Sequence, residues 1–82
     1  MAFHFNTYGL MQRGFRLIAI YECFTKGQKK LIIECYKNDT EYLVRNFTSG
    51  STAWDNVFDN RNEANAEVVR LRRTMTWYRR TL

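Results

Sequence analysis

Proline is absent from this 82-residue chain, histidine occurs once, cysteine twice and glycine four times. Without proline, element boundaries must be read from glycine, from Asn/Asp clusters and from changes in hydrophobic period. His4 has no second histidine with which to share a metal. No Cys-x-x-Cys pair, HExxH helix, GxGxxG turn, Walker loop or GxSxG elbow occurs. The expectation is a protein that is not an enzyme and uses neither metal nor cofactor. Cys23 and Cys35 each lie in an apolar run, the habitat of a buried, reduced thiol. Pairing either with His4 as an activated nucleophile would require a polar, cationic cleft around the thiolate. Long apolar runs are also missing: the longest, such as Leu17 to Tyr21, fall far short of the roughly 20 residues that span a bilayer. The N-terminus has no basic region followed by a small-residue cleavage site. A cytoplasmic protein without a membrane partner is expected, and the sequons at Asn38 and Asn46 then carry no meaning.

The residues that are present suit one small core. Hydrophobic residues make up 45% of the chain and aromatics 16%, enough to exclude wholesale disorder and to make residues 1–82 a single domain. Thirteen Lys and Arg against eight Asp and Glu leave a charge of +5, which favours acidic partners. Residues 1–69 hold eight basic and eight acidic groups and cancel. The last thirteen residues contain Arg70, Arg72, Arg73, Arg79 and Arg80 with no acid. All of the net charge therefore sits at the C-terminal end.

Hydrophobic period divides the chain. Gly9, Gly14, Gly27 and Gly50 fall between patterned segments. Phe3 to Asn6 alternates as a short edge strand, and Gly9 to Gly14 reads as a connection. FRLIAIYECF (15–24), KLIIECYK (30–37) and EYLVRNFT (41–48) are rich in β-branched and aromatic residues, and turn signals separate them. They predict an antiparallel meander of three to four strands within residues 1–50. Two-residue turns at Lys26-Gly27 and Asn38-Asp39 would set Ile20 opposite Ile33 and Ile33 opposite Val44. Ile18, Leu31, Cys35 and Tyr42 would then join the core face. The other face would carry Leu17, Ala19, Tyr21, Ile32, Glu34, Tyr36, Leu43, Arg45 and Phe47. Glu34 and Glu41 alternate with Lys37 and Arg45 on adjacent strands and read as cross-strand ion pairs.

Beyond Gly50 the period changes to that of a helix. Thr52 with Asp55, and the i, i+4 pair Trp54 and Phe58, predict a short helix over 51–58. Asn60 with Glu63 has the spacing of an N-cap and its N3 acid. Ala64, Val68, Leu71, Met75, Tyr78 and Leu82 recur at spacings of four and three, predicting a long basic helix over 60–81. The fold class is thus α+β, a meander sheet with both helices packed on one face. The heptad-like spacing also permits a helix-mediated dimer, but packing on the chain's own sheet, as a monomer, is the expectation.

On a continuous helix centred on Leu71, Arg73 and Arg80 oppose the buried face. Arg70 and Trp77 take one flank, Arg72 and Arg79 the other. These six residues are the predicted partner-binding surface, an exposed indole among guanidiniums. Tyr21, Tyr36, Arg45 and Phe47 on the second sheet face form a secondary surface. Two functions follow. One is a small non-enzymatic binding protein that docks on an acidic surface of a larger protein or ribonucleoprotein assembly as a regulator or inhibitor. The other is a nucleic-acid-binding protein whose Arg/Trp helix contacts phosphates and bases. The chain lacks the RNA-recognition-motif signature, and residues 1–14 offer no helix of the kind a double-stranded-RNA-binding domain places before its sheet. In size and style the chain is similar to small phage-encoded inhibitors of host defence, anti-CRISPR proteins among them. That similarity is one of size class alone and rests on no motif.

Overall fold

The three central strand runs form as their composition dictates, and the sheet grows beyond them at both edges. The computed structural model describes residues 2–3, 7–24, 30–48, 53–73 and 76–80. The elements in order are β1 (Ala2–Phe3), α1 (Thr7–Gln12), β2 (Arg16–Phe24), β3 (Lys30–Lys37), β4 (Tyr42–Thr48), β5 (Trp54–Phe58), α2 (Arg61–Arg72) and β6 (Tyr78–Arg80). One antiparallel sheet holds all the strands in the order β1-β5-β4-β3-β2-β6. Because β1 adds only two residues, five strands carry the sheet.

Four expectations are corrected. Residues 54–58 form a strand rather than a short helix, while 51 and 52 lie outside the described residues. The C-terminal helix has 12 residues, not the twenty-two of 60–81, and the chain then returns as β6 on the open edge of β2. Residues 7–12, read as part of a connection, form α1, so a short helix does precede the central strands. Of the expected Phe3–Asn6 strand, only Phe3 is described in β1. Finally, the sheet has five full strands and the two-residue β1 rather than three to four strands; α2 covers one face of it and α1, which was not expected, the other.

Register explains which face each residue takes. β3 and β4 pair Cys35 with Val44 and Lys37 with Tyr42, a shift of two from the expected alignment. A shift of two keeps every side chain on its face, so Ile33, Cys35, Tyr42 and Val44 do share one. The longer turn comes from Asn38. Its backbone N–H donates to the Glu41 carbonyl at 3.1 Å, and its Oδ1 accepts from the N–H groups of Thr40 and Glu41 at 3.0 and 2.7 Å. Between β2 and β3 the shift is one residue: Tyr21 pairs with Ile33 and Ile20 with Glu34, with an irregularity between Leu17 and Ala19. Ala19 and Tyr21 therefore change faces with Ile20. Ile18, expected in the core, is 37% exposed.

On one face Ile33 and Val44 pack with Ala64 and Val68 of α2, bordered by Tyr21, Cys35, Tyr42, Phe58, Leu71 and Trp77. On the other, Leu43 packs with Leu10 of α1 and Phe15, bordered by Tyr36 and Val57. Asn60 caps α2 as its spacing predicts, its side chain accepting from the Glu63 N–H at 2.9 Å. α1 closes in a Schellman arrangement, with Gly14 N–H donating to Met11 O and Phe15 N–H to Leu10 O at 3.1 and 3.0 Å. Gly14 supplies the required positive φ of 74°. Among the described residues no helix is long and apolar enough to cross a membrane.

Candidate anion-binding groove

A groove of about 390 Å³ opens between α2 and the face of the sheet beneath it. Its floor is narrow in side-chain volume. Ala19 and Cys35 are register partners at its centre, and between larger neighbours they leave the gap. Four cations rim it: Arg16, Lys37, Arg61 and Arg79, and no Asp or Glu lines it. Arg16 pairs with Lys37 across β2 and β3, and Lys37 with Tyr42 across β3 and β4. Tyr42 in turn pairs with Phe58, three residues before Arg61 in sequence. One end of the groove is therefore a row of cations. At the other end Arg79 is the partner of Tyr21, and Arg72 of α2 lies 4.3 Å from the centroid of the Tyr21 ring.

The charges of the groove differ from those elsewhere. Arg13 meets Glu41 at 3.0 Å, Lys30 meets Glu22 at 2.7 Å and Arg45 meets Asp55 at 2.7 Å. Arg80 meets Glu22 at 3.2 Å, and Arg70 is paired with Glu67. Among the described residues no carboxylate pairs with Arg16, Lys37, Arg61, Arg72, Arg73 or Arg79. Four of these cations, Arg16, Lys37, Arg61 and Arg79, line one opening and Arg72 borders it, where a mobile anion can supply the missing counter-charge. Lys37 Nζ stands 5.5 Å from the Tyr42 ring centroid, so two tyrosine faces hold cations in place.

Cys35 lies on this floor. Burial pushes its thiol up from its ordinary 9.0 to about 11, against the opposing pull of Arg79 and Arg72. At neutral pH it is a thiol and a poor nucleophile. Neither Cys23 nor Cys35 is in a disulfide. Cys23 sits four residues along β2 from Ala19, the register partner of Cys35. That is about 13 Å at the rise of a strand, too far for a bridge, which needs Cα atoms within about 7 Å.

The six predicted surface residues do not form one patch. Trp77 was expected to be exposed, but it is half-buried and packs against the α2 core. Its Nε1 and the Nε of Arg72 are buried without a hydrogen-bond partner among the described residues. Arg79 and Arg80 sit on β6, not on a helix, and point to opposite faces as neighbours on a strand must. Of the six only Arg79 lines the groove; Arg72 borders it through the ring of Tyr21, while Arg73 is exposed at the C-cap of α2.

The secondary surface also divides. Tyr21 is on the α2 face. Arg45 is buried with Asp55 in a two-pronged pair, Nε to Oδ1 at 2.7 Å and Nη2 to Oδ2 at 3.0 Å. The Tyr36 hydroxyl donates to Glu34 at 2.9 Å, and Phe47 is half-buried on that face. Glu34 does face Arg45 in register, but the ion pair of Arg45 is with Asp55, and that of Glu41 is with Arg13 rather than a neighbouring strand.

Arg16, Lys37 and Arg61 escaped the sequence reading because they belong to the stretch whose charges cancel. Cancellation in sequence says nothing about cancellation in space. The one available signal was the cross-strand position of Arg16 and Lys37. Among the described residues no three His, Cys, Asp or Glu gather as a metal site would require. Comparison with protein families, curated proteins and solved structures finds no match to this chain.

Proposed function

We propose that this protein is a small non-enzymatic binding module that docks on an anionic surface of a larger protein or ribonucleoprotein assembly and thereby regulates or inhibits it. The observation that carries this reading is the segregation of charge. Among the described residues Arg13, Lys30, Arg45, Arg70 and Arg80 are matched by carboxylates, whereas Arg16, Lys37, Arg61 and Arg79 converge on one groove with none, and Arg72 borders it on Tyr21. Unmatched like charges repel one another and weaken the fold, so their accumulation is better explained by an external anion than by stability. The chemistry-bearing residues of the described chain support binding rather than catalysis: the one thiol in the groove is held protonated.

The test is capture of partners by the immobilised protein, with and without nuclease treatment, against a variant carrying Arg72→Glu, Arg73→Glu and Arg79→Glu. The parent should retain a defined partner that the folded variant loses. Identical capture by both would refute the assignment of this face.

A further inference from the structure

We propose that the groove between α2 and the sheet binds a segment of single-stranded nucleic acid through its phosphates. This rests on the reading of the basic face as the recognition surface and names what that face takes. The two cationic ends lie on sheet rows four residues apart along β3, from Lys37 to Ile33, or about 13 Å. A single phosphate reaches one end only, whereas a strand with a phosphate at every nucleotide reaches both.

Other anionic polymers fit the walls less well. An extended acidic peptide gains affinity by adding to a strand edge, but β2 is already paired by β3 and β6, and β3 by β2 and β4. In this groove its backbone amides would be buried without partners. A duplex is read by an element that protrudes into its groove, and this site is concave. A nucleic-acid strand has no main-chain amide to satisfy and offers acceptor oxygens to guanidinium forks. Ala19 and Cys35 leave room at the centre for its sugar or base. Arg72 and Lys37 occupy the faces of Tyr21 and Tyr42, so phosphate contact dominates over stacking and base preference is weak.

Fluorescence anisotropy tests this with a labelled single strand of about ten nucleotides, within the roughly 4–16 that known single-strand-binding domains cover. The matching duplex and polyaspartate serve as competitors. Arg16→Glu with Lys37→Glu at one end, and Arg79→Glu at the other, should each weaken binding by about tenfold or more, whereas Arg73→Glu, outside the groove, should change it little. Ala19→Met should block the centre without changing charge; if that variant fails to fold, the charge variants decide. Log affinity should fall against log salt with a slope of about −3 for four neutralised phosphates. If the folded groove variants bind as the parent does and Arg73→Glu does not, the groove is wrong and the basic face stands. Equal displacement by duplex or by polyaspartate at matched charge overturns the single-strand assignment. Absence of any binding by the parent overturns the groove proposal, while partner capture judges the wider reading separately.

Discussion

Asp55 is fully buried opposite Arg45 on the neighbouring strand. Burial by itself would lower the Arg45 pKa, but the hydrogen bond and charge of Asp55 more than offset it, and the guanidinium stays charged. Removing one member of such a pair strands the other in a dry site. Asp55→Ala should therefore cost about 3–5 kcal/mol in urea denaturation, and replacing both residues by apolar ones should recover much of it. Two half-buried acids act at the alkaline end. Tyr36 is raised by burial, by the charge of Glu34 and by donating to it, and Cys35 is raised by burial to about 11. A folded pKa above the unfolded value gives stability that is full below the unfolded value and lost as pH rises through the folded one. Stability should thus hold to about pH 9 and fall above it, and Cys35→Ala with Tyr36→Phe should flatten that decline in urea midpoints measured against pH.

At the scale of elements, ends decide more than interiors. α1 has few helix-favouring contacts of its own, but the Leu10 to Phe15 closure through Gly14 supplies a stop and an apolar contact together. An alanine Cβ at position 14 would meet nothing closer than Asn38 Cβ at 3.9 Å. Gly14→Ala should then cost only the backbone term, about 1–2 kcal/mol, measured by thermal unfolding. β6 is held by three register pairs to β2 and by Arg80 on Glu22. The Glu22 carboxylate is held below its usual range, chiefly by its hydrogen bond from Lys30 and also by Arg80. This tether is present above the ordinary carboxylate range and lost as pH falls through the lowered value. Arg80→Gln, which removes this tether and spares the Lys30–Glu22 pair, should speed amide exchange across Tyr78–Arg80 and leave the β3 amides unchanged. α2 ends without a C′ glycine, its last turn tightened by Arg73 N–H donating to Arg70 O. Its stop is therefore invisible to a reading of punctuation.

The whole molecule carries a charge of +5, and among the described residues ion pairs lie around the sheet while Arg16, Lys37, Arg61 and Arg79 stand unmatched at the groove. Self-repulsion of that kind weakens when salt screens it over about 8–10 Å. The melting temperature should rise from low to physiological ionic strength, and phosphate should raise it more than chloride at equal ionic strength. A fall with added salt, or equal effects of the two anions, would contradict the charge arrangement described.

The chain by itself determined the α+β class, the three central strands, the start of α2 at Asn60 and the burial of Ala64, Val68, Ile33 and Val44. Each of these follows from local pattern: period two, period 3.6, or a cap and its acid. It also located the charge excess, which is a matter of counting. Tertiary structure decided the rest. The run Ala64 to Leu82 keeps a helical spacing to its end, yet the chain leaves the helix after Arg72 and lays Tyr78–Arg80 on β2. An unpaired strand edge offers hydrogen bonds that spacing cannot register, and aromatic residues such as Trp77 and Tyr78 suit a sheet. The same competition turned Trp54–Phe58 from helix to strand, since pairing with β4 gave Asp55 a buried partner. The groove depends on register. A one-residue slip between β2 and β3 put Ala19 and Tyr21 on the α2 face, and the cations lining the gap come from β2, β3, α2 and β6. No local pattern carries that convergence, because charges distant in sequence become neighbours only when the strands between them pair.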